Sequence, residues 1–221
     1  MIGRRVVVVG AVGWPMGTWD MIRSERATLV DALANLPAAD WDAPSLAAGW
    51  SVRDVVAHMI ATAEMTPPRF FAGLAGTGFK FNNLSDKNIA KVRADRTDAD
   101  LVATYRSLID ARNAPPGPAV SWLGETIVHG EDIFRAVGSY RDHPAENLAA
   151  VGDFYAGSNL LIGAKRRIEN VKLRATDTGW THGDGPEASG PHIALVMAMC
   201  GRKAALDDLT GPGVQVLRSR P

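Results

Sequence analysis

The chain has 221 residues, 46% of them hydrophobic, which is enough to bury the core of one large domain or of a domain with a small module. Its 24 basic and 24 acidic residues balance, so no excess of charge favours nucleic acid or an anionic membrane as a partner. The single cysteine, Cys200, excludes an intramolecular disulfide framework and a zinc site built on clustered cysteines, and it fits a reducing cytoplasm best.

The chain begins with the apolar stretch MIGRRVVVVGAVGWPMG. It is too short to span a bilayer and has no clear cleavage site of a signal peptide. Its glycines Gly10, Gly13 and Gly17 do not have the G-x-G-x-x-G spacing of a dinucleotide-binding turn. We therefore expect residues 1–15 to be an accessory extension outside the core, with Met16 or Met21 as an alternative start.

Four amphipathic helices are predicted next, from the spacing of apolar residues and from N-cap residues. The first is predicted from Thr18 to about Leu36, and the second begins after a capping box of Ser51 and Asp54. The third begins at a cap at Thr97 and ends at the breaker APPGP. The fourth covers residues 121–137, with Gly138 at the C′ position. Pro67 and Pro68 are expected to end or kink the second helix, and the segment GTGFKFNNLSDK that follows looks mobile. A fifth helix is predicted from Ala145 to Ile168.

The character of the sequence changes after residue 168. VKLRAT alternates like a strand, TDTGWTHGDGPEASGP is rich in turn residues, HIALVMAMCGRKAALDDL is helical, and GVQVL is predicted to be a closing strand. The prediction is a mainly α fold, with a helical bundle over residues 16–168 and a compact C-terminal α+β module over residues 169–221.

The fourth predicted helix contains the stretch GETIVHGEDIF. Glu125 and His129 are four residues apart and therefore neighbours on one face, and His58 lies on the second helix. At roughly 100° per residue, both histidines lie about 120° from the centre of their apolar stripes, which suits a groove between two helices. Two histidines and one carboxylate can hold a divalent metal and leave a position for water or substrate. The alternative is a solvated Glu–His pair and an ordinary hydrogen-bonded histidine.

Other candidates have plainer interpretations. Cys200 is expected in the core rather than as a nucleophile, and His143 in a solvated loop. His182 and His192 flank a glycine-rich turn, where turn polarity is a simpler reading than a second metal site. Four aromatic residues could wall a pocket or bury the segment that carries them: Phe70, Phe71, Phe79 and Phe81.

Three stretches together resemble the mycothiol-dependent maleylpyruvate isomerase family, within the DinB-like metalloprotein superfamily. The first is RATLVDALANLPAADWDAPSLAAGWSVRDVVAHM, the second is GETIVHGEDIFRAVG, and the third combines LRATDTGW, GDGPEASGP and GRKAALDDLTGPGV. The similarity extends from Trp19 almost to the end of the chain. The motif set is fairly specific for the family and poorly specific for the reaction.

The resemblance implies a DinB-like four-helix bundle that holds a divalent metal, commonly zinc, through His58, Glu125 and His129. Asp132, one turn after His129, would then orient the imidazole. An equally open alternative is a surface pair between Asp132 and Arg135.

The resemblance also implies mycothiol as a thiol cofactor, because a metal-bound thiol is deprotonated and attacks electrophiles. The expected activity is that of an isomerase or a thiol S-transferase, as a monomer or homodimer acting on a small-molecule electrophile. A non-catalytic protein that binds metal or a small molecule, and a non-heme iron enzyme, are the alternatives.

Overall fold

A computed structural model describes residues 17–160 and 162–221; the predicted extension, residues 1–15, lies outside these ranges. In the part described, the chain forms ten α-helices and three β-strands. The helices are α1 (Thr18–Leu33), α2 (Val52–Glu64), α3 (Pro67–Gly76), α4 (Phe81–Arg93), α5 (Asp98–Ser107), α6 (Ala119–Phe134), α7 (Ala145–Gly157), α8 (Ala164–Arg167), α9 (His192–Met199) and α10 (Gly213–Arg218). The strands are β1 (Lys172–Ala175), β2 (Thr181–His182) and β3 (Glu187–Gly190).

Four of these helices form the predicted bundle. Helix α6 packs against α1 and α2, and α5 packs against the same two helices from the other side. Both predicted capping boxes are present: Ser51 and Asp54 at the start of α2, and Thr97 and Asp100 at the start of α5, exchange reciprocal hydrogen bonds. Each N-cap side chain contributes on the order of 1 kcal/mol by satisfying backbone N–H groups that have no partner within the helix.

More than half of the segment predicted to be mobile, GTGFKFNNLSDK, is helical. Pro67 and Pro68 occupy the first turn of α3, where a missing N–H costs no hydrogen bond. Helix α4 follows and buries Leu84, Ile89 and Val92 while packing on α2. The polar run FNNLSDK hides this sparse apolar face in the sequence.

The region after α6 confirms one prediction and contradicts another. A 3-10 turn at Arg135–Val137 extends α6, and Gly138 adopts the left-handed conformation expected at C′, with φ 72°. The predicted fifth helix is interrupted, because α7 ends at Gly157 and α8 begins only at Ala164. Gly163, at φ 64°, makes the left-handed turn just before α8.

The C-terminal region contains the predicted strand β1, at the centre of a three-stranded sheet. Strand β2 pairs with β1 antiparallel and β3 pairs with it parallel. The segment GVQVL is helical as α10 instead of forming a closing strand. Its buried residues Val214 and Leu217 are three apart, which is the spacing of a helix face.

Two clusters of buried apolar residues make up the core of the described chain. One joins α1, α2, α4 and α5 around residues such as Leu29 and Ile60. The other runs without interruption from Leu123 and Ile127 on α6 to Leu173 and Leu195 in the C-terminal region. The bundle and the α+β region therefore bury their apolar faces against each other. No helix in the part of the chain described is long and apolar enough to cross a membrane.

Candidate metal centre

The three predicted ligands converge at the junction of α2 and α6. One ligand atom from each of His58, Glu125 and His129 lies within 4.8 Å of the others. Across residues 17–160 and 162–221, no other group of three or more histidine, cysteine or acidic side chains is arranged in this way. The structure thus brings together the residues that the sequence pattern selected.

The packing of two helices explains this convergence. Helices α2 and α6 contact each other, and Ile133 on α6 lies in the same buried apolar cluster as Val55 and Ile60 on α2. His58 and His129 are displaced to the side of the apolar faces of these helices, as predicted, and their side chains keep 16% and 14% exposure. Both rings therefore reach the wall of a cavity and do not fill the core.

The centre of the cluster lacks internal partners. Glu125 Oε1 is buried without a hydrogen-bond partner among the described residues, and His58 Nε2 lies 3.8 Å from it. Burial raises the pKa of the Glu125 carboxyl, against the opposing charges of His129 and Arg26. Burial, together with His129, lowers the pKa of His58 to about 3. Two imidazoles beside an orphaned carboxylate oxygen are a donor set that a divalent cation satisfies, so these residues fit a metal.

Asp132 holds one of the two histidine rings. His129 Nδ1 lies 2.9 Å from Asp132 Oδ2, so this nitrogen is occupied and Nε2 is left for the cavity. Asp132 also accepts hydrogen bonds of 2.6 Å from Nη2 and 3.0 Å from Nε of Arg202. Burial alone would raise the pKa of Asp132, but the hydrogen bonds with His129 and Arg202 outweigh it and the pKa is lowered.

The alternative in which Asp132 forms a surface pair with Arg135 does not match the structure. Asp132 is fully buried, whereas Arg135 bonds to Glu131 at 2.6 Å and to Asp208. Successive side chains along α6 point in different directions, so Asp132 reaches His129 and Arg202 whereas Glu131 reaches Arg135 and His143.

Sequence reasoning missed two residues of the site. Trp50 precedes the α2 capping box, and its ring centroid lies 4.7 Å from that of His58 and 6.0 Å from that of His129. Arg202 follows α9 and braces Asp132 across 70 positions of sequence. Trp50 stands in the quoted motif GWSVRDVVAH, but nothing in the local pattern around Arg202 signals its partner.

The cluster opens into a cavity of about 990 Å³. One wall is apolar and aromatic and includes Trp122, Phe154 and Leu160, while α4 forms a polar wall on another side. Cys200 is buried as predicted and also borders the cavity, and burial raises the pKa of its thiol to about 12. A thiol held neutral in this way is a poor nucleophile.

Two of the three remaining histidines differ from the predictions. His143 was expected in solvent, but its side chain is 1% exposed and lies between Glu25 and Glu131. His192 is fully buried, with Nδ1 2.8 Å from Thr178 Oγ1, so turn polarity is the wrong interpretation for it. His182 is exposed, as a turn residue would be.

The four phenylalanines neither all line a pocket nor all bury the segment that carries them. Of its four phenylalanines, Phe81 alone borders the main cavity among the residues described. Phe71 and Phe79 remain 60% and 76% exposed, so they do not bury the segment against the bundle.

The chain is thus a helical bundle with an appended α+β region, and two histidines and one carboxylate meet where α2 and α6 pack together. Residues 22–118 match the family model described as mycothiol maleylpyruvate isomerase N-terminal domain. This match spans 97 of the 221 residues and shows that the N-terminal part of the chain is similar to that domain. The matched range includes His58 but ends before α6, so Glu125 and His129 are tied to the site by geometry.

Two crystal structures have the same fold. One is of the mycothiol-dependent maleylpyruvate isomerase, with 16% identity and a TM-score of 0.56. The other is of a histidine-to-alanine mutant of that enzyme, with 15% identity and a TM-score of 0.57. Each alignment covers 88% of this chain and 91% of the other. No curated protein sequence matches the chain.

Proposed function

We propose that this protein is a metal-dependent enzyme that uses mycothiol, a low-molecular-weight thiol, for isomerase or S-transferase chemistry of the maleylpyruvate isomerase type. The observation that carries this proposal is the convergence of His58, Glu125 and His129 on the cavity, with one Glu125 oxygen left without a partner. The similarity of residues 22–118 to the mycothiol maleylpyruvate isomerase N-terminal domain supports the thiol as the reactant that this centre serves.

In this proposal the metal is zinc, held by Nε2 of His58, Nε2 of His129 and the carboxylate of Glu125. Neutral imidazoles and one carboxylate suit zinc, and three protein ligands leave a position open. A bound divalent cation supplies Lewis acidity, which lowers the pKa of a thiol toward neutrality.

The protein's own residues prepare this centre. Asp132 accepts the Nδ1 proton of His129, which fixes the ring orientation and directs Nε2 to the cavity. Trp50 covers the His58 ring and limits access of water to it. Arg202 has five N–H donors, of which Asp132 and the backbone oxygen of Cys200 occupy three. The remaining two can bind an oxygen of the electrophile, because Arg202 borders the cavity.

One site of this kind supports both reactions. A thiol that adds to an electron-poor double bond turns it into a single bond, about which rotation is free, and loss of the thiol then restores the double bond with changed geometry. Displacement of a leaving group by the same sulfur gives S-transfer instead. We propose action in the reducing cytoplasm, where such thiols are kept free, as a monomer or homodimer.

Metal analysis of the purified protein and of three variants tests the ligand set. We expect one divalent metal per chain, and a loss of affinity beyond about 100-fold in His58→Ala, Glu125→Ala and His129→Ala, because a lost ligand should exceed the effect of a lost supporting partner. His182→Ala is the matched control, since this histidine is exposed and remote from the cluster. Full occupancy in two of the three ligand variants would refute the assignment.

A thiol-consumption screen over small electrophiles tests turnover. Consumption of mycothiol, or isomerisation that requires it, by the metal-loaded protein supports the proposal. Bound zinc without any turnover would favour a non-catalytic binding protein. Bound iron with a redox-active optical spectrum would favour a non-heme iron enzyme.

A further inference from the structure

We infer that the polar wall of the cavity on α4, formed by Asn82, Ser85 and Asp86, binds the hydroxyl-rich part of the thiol cofactor while its sulfur reaches the metal centre. The inference rests on the proposed function for the identity of the thiol. It assigns cofactor-binding residues that neither the sequence motifs nor the family match identifies.

The three residues share one face of α4 and one cavity with the ligands. Asn82, Ser85 and Asp86 are spaced three and four apart, so their side chains are neighbours on the helix. All three border the same cavity as His58 and His129. Helix α4 also packs directly on α2, which carries His58, so this polar wall is fixed relative to the cluster.

These side chains have no partners within the described residues. No hydrogen bond or ion pair joins the side chain of Asn82, Ser85 or Asp86 to residues 17–160 or 162–221, even though Ser85 is only 8% exposed. Asp54 at the start of α2 differs from Asp86, because the Asp54 carboxylate accepts hydrogen bonds from Ser51 and Arg93. The α4 face thus offers an unused amide, hydroxyl and carboxylate to whatever enters the cavity.

The chemistry of this wall selects a neutral polyol. A carboxylate accepts hydrogen bonds from hydroxyl groups, and an amide and a hydroxyl both donate and accept. The negative charge of Asp86, which no cation of the described chain pairs with, disfavours a phosphate or carboxylate ligand. Mycothiol joins its cysteinyl thiol to a sugar linked to a cyclitol, and both rings carry several hydroxyls, so it matches.

The cavity leaves room for such rings beside Gly49, which borders it. Gly49 has φ 83°, and a Cβ there would meet nothing within 4 Å, so the backbone borders open space. Trp50 also borders the cavity, and its ring centroid lies 4.7 Å from that of His58, so it offers a flat surface beside the metal cluster. The cavity of about 990 Å³ lies at the upper end of the range of about 300–1,000 Å³ for small-molecule sites. It can hold the thiol along α4 and an electrophile against the apolar wall.

Calorimetric binding of S-methyl mycothiol to the full-length, metal-loaded protein tests this site, since the blocked sulfur leaves the rings as the main source of affinity. We expect Asn82→Ala to weaken binding about 3–10-fold and Asp86→Ala about 10-fold or more, as neutral and charged hydrogen bonds are lost. Asn83→Ala is the matched control, because Asn83 is exposed on the same helix and does not border the cavity. Metal content should stay unchanged in all three variants.

Two outcomes of this titration would overturn the inference. One is an absence of binding by the unmodified protein. The other is equal affinity in the unmodified protein and in the Asn82→Ala and Asp86→Ala variants, or an equal loss in Asn83→Ala.

A kinetic comparison separates this inference from the proposed function. With mycothiol, the Asn82→Ala and Asp86→Ala variants should raise KM without lowering kcat, whereas with N-acetylcysteine, which lacks the rings, KM should not change. If turnover is present and both thiols respond equally to the substitutions, the proposed function survives and this site is wrong. If S-methyl mycothiol binds as expected but no electrophile is turned over, the site stands and the catalytic proposal fails.

Discussion

Helix α6 contributes to two clusters of histidine and carboxylate that differ in how their polar atoms are satisfied. The metal-site cluster is His58, Glu125 and His129. The buried ion cluster is built around His143, whose Nδ1 and Nε2 lie 2.9 Å from Glu25 Oε2 and 3.2 Å from Glu131 Oε1. Asn147 donates to Glu25 at 2.8 Å and Arg135 to Glu131 at 2.6 Å.

The pKa values of His143 and His58 in the two clusters are therefore shifted in opposite directions. Burial alone would lower the pKa of His143, but hydrogen bonds to Glu131 and Glu25 outweigh it and the pKa is raised. At His58 burial acts without such a partner, and the pKa falls to about 3. A histidine whose two nitrogens are both paired inside the protein stabilises the fold, whereas one that faces an orphaned carboxylate is available to a ligand.

The largest expected effect is a difference in the free energy of unfolding between His143 and His58 variants of the metal-free protein. His143→Ala should lower the free energy of unfolding by about 3–5 kcal/mol, because two buried carboxylates lose their shared partner. His58→Ala should lower it by about 1 kcal/mol or less, as for an average substitution. Urea denaturation of both variants measures the difference. Equal losses of stability would show that the two clusters do not differ as described.

A smaller effect is expected at Asp132, which connects the metal-site cluster to the rest of the protein. Asp132→Asn removes the charge that holds the Nδ1 proton of His129, so metal affinity should fall by about 10–100-fold. Competition with a chelating indicator dye measures this change, and Asp142→Asn, at an exposed position, is the control. Unchanged affinity would mean that Asp132 acts only as the partner of Arg202.

The pH dependence of stability should reveal the buried ion cluster. His143 faces Glu25 on α1 and Glu131 on α6, with Arg141 and Asn147 also close. A raised pKa in the folded state means that the native protein binds the extra proton. Its stabilising contribution is complete below pH 6.5, the ordinary value, and is lost as pH rises through the raised pKa.

Relative to His143→Gln, the free energy of unfolding should therefore fall above pH 6.5, with a slope of at most about 1.4 kcal/mol per pH unit. Denaturation of both proteins between pH 6 and pH 9 measures it. A difference between them that grows with pH would contradict the assignment of the proton to His143.

The smallest effect is expected from removal of residues 1–15. Both clusters consist of residues from Glu25 onward, and the family match begins at residue 22. A chain that starts at Met16 should keep the metal content and urea midpoint of the longer one. Loss of either property would show that the extension supports one of the clusters.

Periodic and capping patterns predicted the bundle helices and both capping boxes, because these features depend on residues three or four apart. The same patterns failed for α4, whose apolar face is sparse, and for α10, whose short apolar run resembles a strand. The positions of Glu125 and His129 on one face could be predicted, since one helix fixes them. The burial of His143 and the bond between Asp132 and Arg202 could not, because their partners are distant in sequence and only tertiary packing brings them together.

The pair formed by Asp132 and Arg202 makes the proposed metal centre a composite of two segments of chain. Its three proposed ligands all belong to the bundle, yet the guanidinium that bonds to the partner of His129 comes from the C-terminal region. The two segments therefore cannot be exchanged independently between proteins. A chimera with a C-terminal segment from another protein would preserve the site only if that segment also placed a cation at the position of Arg202. Substitutions at Asp132 and Arg202 are accordingly expected to be tied to each other as such proteins diverge.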